Sequence, residues 1–163
     1  MTIRLDGPGV TIEEIVAVAR QSETVELTAT AVDRMAKARA VVDQLAEGAA
    51  KYGISTGFGA LATVSIPPDR RKALQVALIR SHAAGMGDPV EEEVVRAMVL
   101  LRARTLALGH SGARPLVAQA MVDILNAGIT PIVPEYGSLG ASGDLAPLAH
   151  GALALLGEGD VVH

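Results

Sequence analysis

The sequence predicts a mainly α-helical fold with a small β element near its N-terminus, and three observations support this prediction. Half of the 163 residues are hydrophobic but only 2% are aromatic. The core must therefore be built from aliphatic side chains, which suit helix packing. Apolar residues recur at three- and four-residue steps in several stretches, as they do on one face of a helix. Glycines and prolines stand between these stretches and mark their ends.

The N-terminal half of the chain contains the predicted β element and the first helices. Residues 2–5 and 24–27 are β-leaning segments on either side of a helix over 11–20, and we expect the two segments to pair. A second amphipathic helix starts at residue 28 or 30 and ends near Gly48. A third helix is predicted over 69–84, where glycines end it.

The C-terminal half is predicted to be helical with one irregular connection. Asp88 is expected to cap a helix that begins at Pro89 and continues to about Leu108. This helix is apolar around most of its circumference, so we expect it to need neighbours on several sides and to promote association where they are missing. Further helices are predicted over 115–128 and 144–157, with 129–139 as a connection. We divide the chain into an α-rich domain over 1–109 and the start of a central helical region over 110–163.

Charge and cysteine content exclude several classes of function. The chain has 14 Lys and Arg against 18 Asp and Glu, a net charge of −4, and no basic cluster, which argues against nucleic acid or a membrane surface as partner. The absence of cysteine excludes disulfides, thiolate metal sites and a cysteine nucleophile. The histidines show no metal-ligand spacing, so no metal is expected. We see no signal peptide or membrane-spanning run and expect a cytoplasmic location.

The three aromatic residues all lie in glycine-rich or turn-like segments. Tyr52 and Phe58 belong to the segment YGISTGFG over 52–59, whose three glycines predict a shaped loop instead of a helix. Tyr136 precedes a second glycine-rich segment. Aromatic rings outside the helices are not simple core filler, although Tyr52 by itself is most easily explained as a ring that closes a helix end.

The second glycine-rich segment, GSLGASGDLAPLAH over 137–150, allows an unusual backbone reaction. Gly143 is unhindered, so its amide nitrogen can fold back onto the carbonyl carbon of Ala141. Ser142 lies between them and carries a hydroxyl that can leave as water. Cyclisation and dehydration would give an electrophilic methylidene-imidazolone ring. The plainer interpretation is a glycine loop in which Asp144 caps the last helix.

The segment resembles the cofactor-forming signature of the aromatic amino acid ammonia-lyases and aminomutases, which make 4-methylidene-imidazol-5-one (MIO) from their own Ala-Ser-Gly. Three further stretches agree with the family in order and spacing: YGISTGFG over 52–59, RSHAAG over 80–85 and LRARTLALGHSGARP over 101–115. The likeness extends over nearly the whole chain and over the N-terminal third of the family's length, and it is strongest to the histidine-specific members. It implies the ammonia-lyase, or fumarase/aspartase-like, fold, in which the later helices begin a long bundle.

The resemblance implies a role for individual residues. Ala141, Ser142 and Gly143 would form MIO, to which the substrate amine adds, and Tyr52 would be the base that removes the β-proton before ammonia leaves. A phenol needs neighbouring dipoles or cations to act as a base at neutral pH. The family pattern places further residues in support of the cofactor loop: Gly59, Leu139, Gly140, Asp144 and His150.

Substrate choice in the family depends on the pair that is Ser81-His82 in this sequence. Ser-His favours L-histidine, which gives urocanate and ammonia. Some tyrosine aminomutases share the pair, so a tyrosine ammonia-lyase or 2,3-aminomutase stays as an alternative. Without the resemblance, His82 is best explained as a histidine that interacts with the helix dipole.

The resemblance also implies a homotetramer whose active sites combine residues of neighbouring subunits. An Asn, a Tyr and a carboxylate-binding Arg of the family lie beyond the stretch that matches this chain. We therefore expect the 163-residue chain to be inactive by itself. A truncated relative that folds and associates without catalysis is the alternative from another functional class.

Overall fold

The computed structural model describes residues 1–7, 9–138 and 145–163. Within these ranges the chain forms six α-helices, which confirms the predicted mainly α-helical class. The helices are α1 Ile12–Gln21, α2 Ala29–Ala46, α3 Pro68–His82, α4 Glu92–Ala107, α5 Pro115–Asn126 and α6 Leu145–Leu155. The strands are short: β1 Ile3–Leu5, β2 Val25–Leu27, β3 Met86–Pro89, β4 Thr130–Pro131, β5 Pro134–Tyr136 and β6 Val161–Val162.

The predicted pairing of the two N-terminal strands is confirmed. β1 and β2 run parallel, with Ile3 opposite Val25 and Leu5 opposite Leu27, and α1 forms the crossover between them. The side chains of these four residues are buried, whereas the residues between them are exposed. The alternation places one face of the small sheet against the core.

The core is built around α4, which packs against α1, α2 and α5. As the composition predicts, the buried apolar side chains are aliphatic or methionine. The α4 residues in this core are Val95, Val99, Leu100, Ala103, Leu106 and Ala107. Helices on both sides of residue 109 therefore share one core, and the division into two domains there stays a prediction.

One charged side chain, Arg96, lies inside this apolar core with 4% of its surface exposed. Its guanidinium donates to the carbonyl oxygen of Val18 at 3.0 Å and to that of Leu125 at 3.4 Å. These carbonyls lie in the last turns of α1 and α5, where helix carbonyls lack intrahelical partners and carry partial negative charge. Arg96 thus joins two helix ends to α4 and has its charge stabilised by their dipoles.

The predicted start of the fourth helix is wrong. Met86–Pro89 forms β3, which pairs antiparallel with β5, and α4 begins only at Glu92. The Val90 N–H donates to the Val133 carbonyl at 2.8 Å, so the backbone beside Pro89 is held in strand pairing instead of a helical turn. The predicted connection over 129–139 contains two short strands: β5, which pairs with β3, and β4, which pairs antiparallel with β6.

One face of α4 lies open to solvent. Val94 is 50% exposed and Leu101 is 42% exposed. Together with Leu148 of α6 they line a shallow apolar groove along the helix. The expectation that this surface promotes association stays a prediction. No helix in the described ranges is both long and apolar enough to cross a membrane.

Candidate active site

Tyr52 is held in a defined position by its own glycine-rich loop. Its hydroxyl oxygen accepts a hydrogen bond from the Gly59 N–H at 3.3 Å. Its ring packs edge-to-face on Phe58, with centroids 5.8 Å apart and planes at 80°. Gly53 has φ +70°, and a Cβ there would lie 2.9 Å from Phe58 Cε1, so a larger residue would disturb the ring pair. Tyr52 is 64% exposed and is available to a bound molecule.

Two buried hydroxyl groups fix the shape of this loop. Ser55 Oγ accepts from the Lys51 N–H at 2.9 Å, and the Thr56 hydroxyl lies 3.0 Å from the Gly57 carbonyl, to which it donates. Thr56 also forms a backbone bridge with Ser65 across the loop. These bonds satisfy polar groups that would otherwise be buried without partners. The loop is therefore an ordered platform for Tyr52.

Ser81 and His82 end helix α3 and form a compact hydrogen-bonded group with Leu78. The Ser81 hydroxyl donates to the Leu78 carbonyl at 2.9 Å. His82 Nδ1 lies 2.9 Å from the same carbonyl and 3.0 Å from Ser81 Oγ. The orientation of the imidazole is thus set by its own helix, with Nε2 turned away from these contacts.

His150 joins helix α6 to the turn after α3. Its Nε2 accepts a hydrogen bond from the Gly85 N–H at 3.1 Å. Burial lowers the pKa of His150, which favours the neutral ring that this acceptor role requires. A Cβ at Gly85 would lie 3.1 Å from His150 Nε2 and 3.2 Å from Pro134 Cβ. The turn therefore has room for glycine but little for a side chain.

The Gly85–His150 bond forms a junction between the end of α3 and helix α6. Both sides of the predicted cofactor loop are anchored at this junction. On the N-terminal side, a Cβ at Gly137 would lie 3.2 Å from Gly85 Cα and 3.0 Å from Ala146 Cβ. On the C-terminal side, α6 packs against α3 and carries His150. Arg80 of α3 adds an ion pair with Glu158, with Nε and Oε2 2.8 Å apart. The segments that flank 139–144 thus lie beside the helix end that carries Ser81 and His82.

The structure brings some of the predicted site residues together and leaves others apart. Ser81, His82 and His150 surround one junction, whereas Tyr52 has its described contacts within its own loop. Gly59 supports Tyr52 directly. Six predicted residues lie outside the described ranges: Leu139, Gly140, Ala141, Ser142, Gly143 and Asp144. Among the residues that the structure describes, no cluster of His, Asp and Glu is suited to hold a metal ion.

From the sequence, Gly85 was expected only to end the third helix and Gly137 had no individual role, but both make the close contacts at this junction. Both glycines border a segment with proposed chemistry, and Gly85 ends the stretch RSHAAG. A glycine at the edge of such a segment is a signal for close backbone approach. The partner in each contact is distant in sequence and has no local signal.

The His150 bond predicts a pH-dependent contribution to stability. Because burial lowers the pKa of His150 in the folded protein, the unfolded chain binds more protons as the pH falls below the ordinary imidazole value of about 6.5. The free energy of unfolding should therefore decrease with falling pH. His150→Gln keeps an oxygen that can accept from Gly85 but does not titrate.

Urea unfolding at several pH values between about 7.5 and 5.5 measures this difference. The wild type should lose more stability than His150→Gln over that interval, whereas His150→Leu should be less stable than His150→Gln at the upper end. Equal pH dependence in wild type and His150→Gln would refute the assignment of His150 as a neutral acceptor.

Comparison with known proteins agrees with this arrangement. The family model "Aromatic amino acid lyase" matches residues 10–163. Histidine ammonia-lyase of Streptomyces griseus is 58% identical over 160 residues, which cover 98% of this chain and 31% of that protein. Histidine ammonia-lyase of Trypanosoma cruzi superposes with a TM-score of 0.87 at 40% identity, over 99% of this chain and 31% of that one. Tyrosine aminomutase of Streptomyces globisporus superposes with a TM-score of 0.91 at 37% identity, over 100% of this chain and 31% of that one.

The fold is thus the one found in ammonia-lyases and aminomutases. The chain belongs to the aromatic amino acid lyase family. It spans about a third of the length of the curated relatives it matches.

Proposed function

We propose that this chain supplies part of the active site of an MIO-dependent ammonia-lyase that converts L-histidine to urocanate and ammonia. The observation that carries the proposal is the junction at the end of α3. There the Gly85–His150 bond and the Gly85–Gly137 contact put both flanks of the Ala141-Ser142-Gly143 segment beside Ser81-His82. A substrate held at the helix end would then lie next to the cofactor-forming backbone.

The described flanks fit an internally formed cofactor. Close backbone approach at Gly85 and Gly137 and the small Ala146 side chain leave little freedom for the loop ends, and such restraint favours a cyclisation that needs a folded-back backbone. MIO, once formed, supplies the electrophilic carbon for the substrate amine. The chain's own Tyr52 oxygen would accept the β-proton. Its loop holds that oxygen in place with a hydrogen bond from the Gly59 backbone N–H.

The comparisons favour histidine as the substrate, and the structure favours a polar substrate ring. The identity to a histidine ammonia-lyase reaches 58%, against 36% to 40% for three tyrosine aminomutase structures. The ring presented by His82 at the end of α3 is polar and suits a polar substrate ring. Tyrosine is the second candidate, since the tyrosine aminomutase superposes with a TM-score of 0.91 and a phenol also offers a polar ring end.

Assembly forms a further part of the proposal. We propose a cytoplasmic homotetramer in which neighbouring subunits and the rest of the family fold complete the pocket. The exposed face of α4, with Val94 and Leu101, supports burial of this surface in a larger protein. The 163-residue chain alone should then produce no urocanate at an enzymatic rate.

The test uses the family-length protein, by which we mean a protein that carries this sequence and has the full length of its relatives. The purified protein is incubated with L-histidine and with L-tyrosine, and urocanate, coumarate and β-tyrosine are quantified by mass spectrometry. We expect urocanate with the highest kcat/KM. His82→Leu should lower kcat/KM for histidine by about tenfold or more, because it removes a hydrogen bond of a partly buried ring.

Each product supports or contradicts one part of the proposal. Coumarate as the main product would replace histidine by tyrosine, and β-tyrosine would replace the lyase by an aminomutase. No product from either amino acid would contradict the catalytic proposal as a whole. Unchanged histidine kinetics in His82→Leu would remove His82 from substrate recognition.

A further inference from the structure

We propose that helix α3 locks His82 as the Nδ1–H tautomer, so that the neutral ring offers Nε2 as a hydrogen-bond acceptor and selects substrates whose ring carries a donor at its far end. The proposal deepens the proposed function and rests on its assignment of His82 to the substrate ring. It names the hydrogen-bond polarity of that contact, which the sequence does not determine. By residue type alone, a neutral imidazole at this position could equally act as a donor.

The tautomer follows from the partners of Nδ1. The Leu78 carbonyl, 2.9 Å away, has no hydrogen to give and can only accept. Ser81 donates its own hydrogen to the same carbonyl at 2.9 Å, which leaves its oxygen lone pairs for His82 at 3.0 Å. A deprotonated Nδ1 would place its lone pair against the carbonyl oxygen and would be repelled. Nδ1 therefore carries the hydrogen, and in the neutral ring Nε2 does not.

The Nε2 atom of His82 is available to recognise a ligand. His82 is half-buried, and its Nε2 has no hydrogen-bond partner among the residues that the structure describes. A lone pair that is removed from water without a donor costs free energy, so a ligand that brings a donor is favoured over one that does not. Ser81 acts through His82 as a positioning residue and does not need to touch the substrate.

We call this preference for substrates with a hydrogen-bond donor at the far end of the ring the donor rule, and it can be applied to individual compounds. Neutral L-histidine meets it in the tautomer with hydrogen on Nτ, the ring nitrogen farther from the backbone. Tyrosine meets it with its phenolic hydrogen. Phenylalanine has no donor, and 3-(4-pyridyl)alanine directs a second lone pair at Nε2 and should be repelled. The same geometry thus accepts both histidine and tyrosine and excludes rings of similar size without a donor.

The tautomer is tested directly by solid-state ¹⁵N NMR of the family-length protein labelled with ring-¹⁵N histidine. The spectrum is recorded at about pH 9, where imidazole rings are neutral. His82 is assigned from the signals that His82→Gln removes. We expect a protonated Nδ1 and an unprotonated Nε2. A hydrogen on Nε2 would overturn the proposal whether or not the protein is a histidine ammonia-lyase.

The donor rule is tested by inhibition at the same pH. Tyrosine, phenylalanine and 3-(4-pyridyl)alanine are tested as inhibitors of the turnover of the protein's own substrate, and their inhibition constants are measured. If one of these compounds is itself turned over, its KM is used instead of an inhibition constant. In the wild type we expect tyrosine to bind at least tenfold more tightly than the pyridyl compound. In His82→Gln, whose amide can both donate and accept, the ratio should fall towards one.

The two N-methylhistidines extend the test. In its neutral form neither carries a donor at the far ring nitrogen, because that nitrogen is methylated in Nτ-methyl-L-histidine and holds only a lone pair in Nπ-methyl-L-histidine. Both should therefore bind more weakly than histidine. Equal binding of tyrosine and 3-(4-pyridyl)alanine in the wild type would refute the donor rule. If tyrosine proves to be the substrate and the order still holds, the donor rule stands and only the choice of histidine fails.

Discussion

Ser142→Ala in the family-length protein is expected to abolish MIO and with it essentially all turnover, while the fold stays intact. Only the Ser142 hydroxyl can leave as the water that creates the methylidene group. The change removes one oxygen atom and adds no bulk, so the packing of the flanks at Gly85, Gly137 and Ala146 should persist. Near-ultraviolet absorbance reports the cofactor, urocanate formation reports turnover, and circular dichroism reports the fold.

Ser138→Ala is the matched control for this variant. Ser138 is the other serine in the same glycine-rich stretch, but it is not flanked by Ala and Gly and cannot form the ring. It should keep the near-ultraviolet absorbance. Loss of absorbance in both variants would mean that the loop is disturbed in general, and retention in Ser142→Ala would contradict the assignment of the cofactor to this tripeptide.

Tyr52→Phe is expected to lower kcat by about 10²- to 10⁴-fold, the usual contribution of a general base. Phenylalanine keeps the edge-to-face contact with Phe58 and loses only the oxygen that accepts from the Gly59 N–H. The near-ultraviolet absorbance should therefore stay at the wild-type level. Steady-state kinetics and absorbance of the same preparation separate proton abstraction from cofactor formation.

Tyr136→Phe serves as the control, since Tyr136 is the other tyrosine of the chain and is similarly exposed, at 67% against 64% for Tyr52. We expect little change in its kcat. A Tyr52→Phe protein with wild-type kcat would exclude Tyr52 as the base. A Tyr52→Phe protein without the cofactor absorbance would instead assign the residue to cofactor formation.

Local sequence signals predicted the elements that depend on local interactions. The three- and four-residue spacing of apolar side chains marked the helices, and the β-leaning segments that became β1 and β2 were found from residue type alone. The start of α4 was missed because Asp88 and Pro89 are good helix-start residues by themselves. Their pairing with β5, more than forty residues away along the chain, decides their conformation.

The site shows the same division between local and distant contacts. The Tyr52 loop and the Ser81-His82 pair lie within short stretches, and sequence motifs identified them. The Gly85–His150 bond joins residues 65 positions apart, and no spacing rule reveals it. Arg96 was missed because a charged residue is ordinarily placed in solvent. Its signal was present, since Val99 and Ala103 follow it at helical steps on the buried stripe of α4.

Intact mass spectrometry of the family-length protein tests most directly whether this sequence forms its own catalytic electrophile. Ring closure and dehydration of Ala141-Ser142-Gly143 remove two waters. The wild type should therefore be lighter than its sequence mass by two waters, and peptide mapping should place the deficit within 137–150, whereas Ser142→Ala should lack it. A wild-type protein at its full sequence mass, with the peptide over 137–150 unmodified, would contradict an MIO-dependent function.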